Sequence, residues 1–364
     1  MRTLVLLTDA YGSNGGIAKY NQDFLQALCS FPESAEVVAI PRLASDLIEP
    51  LPKKLDYVLQ GINNKFKYAV TVFKTVLKNP KFDLIVCGHI HLLPLAILAR
   101  LFSPSCPLFL ILYGVDAWRP TRHVFANWLV GRVDGVISIS ETTLKRFLKW
   151  TNLKPRAFFL LPPAVDLKSF EGKGGEPLLR QRYSLDGKTV LMSLARLSAE
   201  DRYKGIDEVL NLMPSLVRKT PGLTYLIAGD GSDRPRLEQK VRHLGLESHV
   251  FFAGHIDESE KADHYRLADA FVMPGWGEGF GIVYLEAMAC GVPVIASNAD
   301  GGREALKNGE LGILVDPAQP QEIERAIYEA LRRPKAVIPP GLDYFSFENF
   351  KRRCHDILRQ LEQR

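Results

Sequence analysis

The chain is 364 residues long, 46% hydrophobic and 24% charged, a globular composition and too long for one hydrophobic core, so two domains are expected and a disordered or fibrous protein is excluded. Net charge is +5 but uneven: residues 1–160 carry 19 Lys and Arg against 11 Asp and Glu, the remainder 27 against 30. Cys29, Cys87, Cys106, Cys290 and Cys354 are scattered with no C-x-x-C pair, which speaks against a disulfide framework or a zinc site. No apolar run approaches the roughly 20 residues that span a bilayer. The opening residues read as a first strand, not as a signal peptide, and cytoplasmic residence is the simplest expectation.

Apolar runs at 3–8, 35–40, 84–87, 108–112 and 135–139 read as strands separated by helical patterns, the alternation of a parallel sheet covered on both faces. After the first of them, Asp9-Ala-Tyr-Gly12-Ser-Asn-Gly15-Gly16 is a glycine-rich anion cradle by position. It is not G-x-G-x-x-G and no acid sits at a ribose-binding offset, which disfavours a nicotinamide dehydrogenase; the absence of G-x-x-x-x-G-K-S/T disfavours a P-loop nucleotidase. Within 53–81, Lys53, Lys54, Lys65, Lys67, Lys74, Lys78 and Lys81 oppose only Asp56, and Phe66, Val70, Phe73 and Leu77 recur at helical spacing. That basic amphipathic helix suits peripheral contact with anionic lipid, and equally a domain helix that packs its apolar face inward under a solvated lysine face. Nucleic acid is not expected as a partner, because no aromatic and arginine-rich binding module is present.

Residues 161–184, opening on Leu-Pro-Pro-Ala-Val-Asp and carrying three glycines, read as a linker. The alternation then restarts, with strands at 189–194, 223–228, 250–253, 270–273, 293–296 and 312–315 and helices at 205–217 and 234–244 between them. The expected organisation is an α/β domain at 1–160, a second at 185–340, and a last helix within 341–364, capped by Ser346, with room to return to the first domain.

The most informative stretch is 274–296, P-G-W-G-E-G-F-G-I-V-Y-L-E-A-M-A-C-G-V-P-V-I-A. A strand at 270–273, a glycine-rich turn at 274–281 and a short helix at 282–289 set Glu278 in the turn and Glu286 about two helical turns on. Gly275, Gly277, Gly279 and Gly281 permit positive φ and close backbone approach, and the free amides of a helix start attract an anion such as phosphate. Ligands of open α/β sheets sit at the carboxyl ends of the strands. A charged Glu286 among apolar neighbours is costly unless something binds it; the plain alternative is a solvated acid on an ordinary turn. Arg196 follows the strand 189–194 and Lys204-Gly205 opens the next helix. Two cations on that edge suit a diphosphate, and with no Asp-x-Asp triplet no metal or other cofactor is expected.

The segment from Glu278 to Ala296 resembles the signature of glycosyltransferase family four, the retaining transferases of the GT-B fold. The similarity extends to Arg196 with Lys204-Gly205, to Ala228-Gly229-Asp230-Gly231, to Phe252-Ala-Gly254-His255-Ile256, to the Gly15-Gly16 loop and to the returning C-terminal helix. It implies two Rossmann-like doubly wound domains facing a deep cleft. It also implies that Arg196 and Lys204 neutralise a nucleotide diphosphate, that the amides of Ile282 and Val283 hold its distal phosphate, and that Glu286 accepts from the ribose hydroxyls. Gly254, His255 and Ile256 then line the base pocket with Gly229 and Asp230 in the same donor site. Glu278 with Gly279 and the amides of Phe280 and Gly281 binds the transferred sugar, and Gly15 and Gly16 close on the phosphates.

Two positions depart from the family pattern. Tyr113-Gly-Val-Asp116 stands where His-Gly-x-Asp/Glu is usual, and Ala195 replaces a common glycine. Asp116 is carried as a catalytic candidate; Tyr113, His89 and His91 are acceptor-side candidates, a hydrogen-bonded structural role being the commoner one for either histidine alone. The expected activity is retaining transfer of a hexose, glucose from UDP-glucose being the first expectation, to a carbohydrate or lipid-linked saccharide in polysaccharide or glycolipid synthesis. A catalytically silent nucleotide-sugar-binding partner of a transferase complex is the alternative, and a phosphorylase or nucleotide-sugar epimerase a weaker third.

Overall fold

A computed structural model describes residues 1–45, 50–78, 81–151, 153, 157–170 and 174–363. The chain forms two compact units, Met1–Ala164 with Phe347–Arg364, and Val165–Ser346. In the first, β1 (Arg2–Leu7), β2 (Glu36–Pro41), β3 (Leu55–Tyr57), β4 (Leu84–Cys87), β5 (Leu108–Leu112), β6 (Gly135–Ser138) and β7 (Ala157–Leu160) form one sheet in the order β3-β2-β1-β4-β5-β6-β7, every pair parallel. The central strands are continuous apolar runs, Leu-Phe-Leu-Ile-Leu in β5 being buried throughout, as strands covered on both faces must be. The edge strands β3 and β7 escape a reading based on apolar runs. β3 has three residues, and β7 exposes Phe158 and Leu160.

The second unit holds β8 (Thr189–Leu194), β9 (Leu223–Ala228), β10 (Val250–Gly254), β11 (Ala270–Met273), β12 (Val294–Ser297) and β13 (Ile313–Val315), all parallel in the order β10-β9-β8-β11-β12-β13. The strand order switches direction between β8 and β11. The segments that leave those two strands, 195–205 and 274–281, therefore emerge side by side at the carboxyl edge, the place where doubly wound sheets bind ligands.

Three elements differ from the sequence-based expectation or sharpen it. The linker read at 161–184 contains a helix, Glu176–Arg182, that belongs to the second unit and packs on the helix Glu258–Leu267, where the Gly175 amide donates to Asp263 Oδ2 at 3.2 Å. Seven residues preceded by glycines carry too little periodicity to stand out. The last helix, Phe347–Glu362, starts directly after Ser346, whose backbone is extended (φ −61°, ψ 152°). It lies on the helix Gly16–Ser30, with the Phe350 ring perpendicular to Tyr20 at 5.6 Å and His355 Nε2 3.0 Å from the Ala27 carbonyl. The basic helix Lys65–Lys78 buries Tyr68, Thr71, Val72 and Val76, not the stripe singled out above: Phe66 is 87% exposed and Val70, Phe73 and Leu77 are exposed with it. No helix among the described residues is long and apolar enough to cross a membrane.

Candidate functional site

The site grows from β11. Its exit turn, 274–281, leads into a helix at Ile282–Ala289. Of the four glycines there, only Gly281 has a positive φ, 93°; Gly277 is required by contact, since a Cβ on it would lie 2.7 Å from the Tyr203 ring. That approach lays the segment after β8 over the turn, and the Trp276 amide donates to the Tyr203 carbonyl at 2.7 Å. The consequence is an ion pair between Lys204 Nζ and Glu278 Oε2, with both side chains less than one-fifth exposed. The amides of Ile282 and Val283 begin the helix and have no acceptor within it. Phe280 packs its buried ring on Phe345, so only its main chain is available to a ligand.

Asp300, which sequence reasoning missed, clamps the main chain of Glu278. It lies in the turn after β12 and is 1% exposed. Its Oδ2 accepts the Glu278 amide at 2.7 Å and its Oδ1 the Gly302 amide at 2.9 Å, while the Gly301 amide donates to the Glu278 carbonyl at 2.8 Å. Burial pushes the Asp300 carboxyl up to about 7, against the two amide hydrogen bonds and the Lys204 charge, with the Glu278 charge adding to the rise. The available signal was an acid beside Gly301-Gly302 just past an apolar strand.

Arg196 and Lys204 share the edge but not a free state. Arg196 is largely exposed and its Nε donates to Asp201 Oδ2 at 2.6 Å. Burial pushes the Asp201 carboxyl up, yet hydrogen bonds from Arg196, Ser198 and Tyr203 outweigh it and hold the group below the ordinary carboxylate range. Glu286 is buried and satisfied within the chain, by Lys261 Nζ at 3.2 Å and Tyr265 Oη at 2.7 Å. The cost of burying its charge, taken above as a sign of a ligand, is thus met by two side chains of the helix Glu258–Leu267.

The remaining donor-side candidates shape the backbone. A Cβ on Gly229 would lie 1.9 Å from the Ala195 carbonyl oxygen, so this glycine lets the turn that bears Arg196 rest on the turn after β9. Asp230 pairs with Arg234 at 3.1 Å and stands outside the Lys204–Glu278 contact. Gly254 has φ 74° and its carbonyl accepts the Gly229 amide at 2.7 Å. His255 is exposed beside Asp257, and Ile256 is buried.

In the first unit, Gly15 and Gly16 stand exposed where the helix Gly16–Ser30 begins, after β1. His89 and His91 follow β4 and Asp116 follows β5, on one sheet edge. The His91 amide donates to His89 Nδ1 at 3.1 Å, which leaves the His89 proton on Nε2, 3.9 Å from Asp116 Oδ2. Burial, with the neighbouring His91 and Arg42, lowers His89 to about 4, and burial raises the half-buried Asp116 to about 6. At neutral pH the pair is a neutral imidazole facing a carboxylate. The His91 ring also stands 4.7 Å from the His123 ring, a neighbour that the spacing of the sequence does not reveal. Tyr113 does not join them: its ring is buried against Tyr20, and its hydroxyl donates to Asn21 Oδ1 at 2.6 Å.

Residues 176–337 match the family model described as Glycosyl transferases group 1. The chain is 34% identical over 217 residues to a GDP-mannose-dependent alpha-(1-6)-phosphatidylinositol monomannoside mannosyltransferase of Mycolicibacterium smegmatis, a match covering 57% of this chain and 56% of that protein. The chain thus spans just over half the length of that relative. With a GDP-mannose-dependent monoacylated alpha-(1-6)-phosphatidylinositol monomannoside mannosyltransferase of Corynebacterium glutamicum it shares 28% identity over 92% of this chain and 89% of the relative. Among solved structures, Anabaena HepE in complex with UDP and glucose superimposes with a TM-score of 0.80 at 21% identity, covering 99% of this chain and all of the other. The two parallel sheets are those of the GT-B fold, and residues 176–337 are similar to the Glycosyl transferases group 1 family.

Proposed function

We propose that this protein is a retaining hexosyltransferase that moves a sugar from a nucleoside diphosphate donor to a lipid-linked saccharide or inositol lipid at the cytoplasmic face of a membrane. The observation that supports it most is the meeting of Lys204, Glu278 and the open amides of Ile282 and Val283 at the switch between β8 and β11. As the bond from the anomeric carbon to the diphosphate breaks, negative charge grows on the phosphates and positive charge on the sugar ring. Lys204, the exposed guanidinium of Arg196 and the helix amides meet the first, and Glu278 the hydroxyls of the second. The diphosphate takes over Lys204 from Glu278, which frees that carboxylate for the sugar. Glu286, anchored by Lys261 and Tyr265, offers its oxygens to the ribose. Asp116 with His89 serves the acceptor side. The departing phosphate accepts the acceptor's proton, and no metal is used.

GDP-mannose leads as donor, on the names of the relatives that are similar at 34% and 28% identity. UDP-glucose, the expectation from sequence, is the second reading, favoured by the UDP and glucose held in HepE. Nucleotide release from GDP-, UDP- and ADP-hexoses, with acceptor lipid present and the product's anomeric configuration read by NMR, separates the two. An inverted product, or full turnover by a Glu278→Ala variant, would sink the assignment. Donor binding with neither transfer nor hydrolysis would support a silent binding partner instead.

A further inference from the structure

The exposed stripe on Lys65–Lys78 is part of a larger surface of the first unit. That helix packs beside Leu93–Leu101, with Phe73 5.9 Å from Phe102, and Leu93–Leu101 packs beside Val124–Leu129. Along these three helices Phe66, Leu101, Val124, Phe125 and Trp128 are each at least 59% exposed, a density of large apolar side chains that water does not favour. Phe125 and Trp128 stack at 6.1 Å, and Arg132 stands over the Trp128 ring at 4.9 Å. The charge around them has one sign. Between Asp56 and Asp134 the only acids are Asp83 and Asp116, against nine Lys and Arg. Asp83 accepts the Arg2 amide, and Asp116 is half-buried beside His89. Lys65, Lys67, Lys74, Lys78, Arg119 and Arg122 are exposed.

We propose that this three-helix face seats on an anionic lipid bilayer, with the aromatic and aliphatic side chains entering the headgroup boundary and the lysines and arginines meeting lipid phosphates. A second copy of the chain is a poorer occupant, because it brings the same lysines against these. Nucleic acid offers nothing to Val70, Leu77, Leu101 and Val124, which a bilayer accepts. Trp128 with Arg132 has the amphipathic character of membrane-interface side chains. The proposal extends beyond the transferase reading and holds whether or not the chain transfers a sugar.

The test is co-sedimentation of the full chain with phosphatidylcholine vesicles and with vesicles in which about a third of the lipid is phosphatidylglycerol. Expected are binding to the anionic vesicles that weakens as salt rises, and a blue shift of tryptophan emission that a Trp128→Phe variant diminishes. Phe125→Ser with Trp128→Ser, and separately Phe66→Ser with Val70→Ser, each lower vesicle affinity by about tenfold or more. Lys67→Glu with Lys74→Glu removes the preference for anionic lipid. All these positions are exposed, and thermal unfolding verifies that each variant is folded. No binding to either vesicle, unchanged binding by every variant, preferential binding of nucleic acid, or a dimer that the same substitutions dissolve would each overturn the proposal.

Discussion

Asp300 ties a titration near neutrality to the main chain of Glu278, and this gives the donor site a pH dependence of known sign. With its carboxyl at about 7, the group is largely neutral below that value and anionic above it. An arriving diphosphate is repelled by the anionic form, so relative to an Asp300→Asn variant nucleotide affinity falls as pH rises, by about tenfold between roughly pH 6 and 8. Titration calorimetry of nucleoside diphosphate with both proteins across that range measures the difference, in which the ligand's own ionisation cancels; equal slopes in the two would remove Asp300 from the account. His89 and Asp116 oppose one another. His89 falls from 6.5 to about 4, so the stability it confers is complete above its unfolded value and is lost as pH falls through 4. Asp116 rises from 3.8 to about 6, so its contribution is present at low pH and is lost as pH rises through 6. Each is worth roughly 3 kcal/mol, and between about pH 4 and 6 they nearly cancel. In urea melts His89→Asn therefore becomes more stable on acidification through that window and Asp116→Asn less stable. Equal slopes in the two variants would show that neither group titrates as described.

At the scale of elements, the close contact of Gly277 with Tyr203 carries the site, because it sets Lys204 on Glu278. Gly277→Ala puts a Cβ against that ring and displaces the pair. Nucleotide release is expected to fall by about tenfold or more, while the melting temperature moves by only a few degrees; wild-type rates in the variant would mean the contact does not matter. The turn and helix around Glu278 were legible in sequence because they are contiguous: an apolar strand, alternating glycines and an apolar helix follow one another without a gap. The partners of those residues were not. Asp300 reaches Glu278 through the pairing of β11 with β12, and Lys261 and Tyr265 reach Glu286 from the helix before β11. Sheet order decides such meetings, and spacing does not reveal it. The same limit explains the basic helix, where periodicity finds a stripe at Phe66, Val70, Phe73 and Leu77 while packing buries Tyr68, Val72 and Val76 on the other side of the cylinder. Both sets repeat with helical spacing, and only the position of the sheet decides which turns inward.

For the molecule as a whole, the decisive feature is that the chain enters the first unit, builds the second and then returns its last helix to the first. Each unit has its own parallel sheet and its own core, so two unfolding transitions are expected in calorimetry. The stability of the first then depends on residues more than 300 positions from its opening strands. Phe350 is fully buried, with its ring against Tyr20, and Cys354 and Leu358 continue the same buried stripe. Phe350→Ala leaves a cavity there and removes roughly 3–5 kcal/mol from the first unit, lowering one transition while the other stays in place. Nucleoside diphosphate stabilises the unit that binds it in proportion to the logarithm of its concentration, and the residues assigned to it, Lys204, Glu278 and the amides of Ile282 and Val283, belong to the second. Saturating nucleotide should therefore raise the transition that Phe350→Ala leaves unmoved. If nucleotide raises instead the transition that the substitution lowers, the donor site has been placed in the wrong unit.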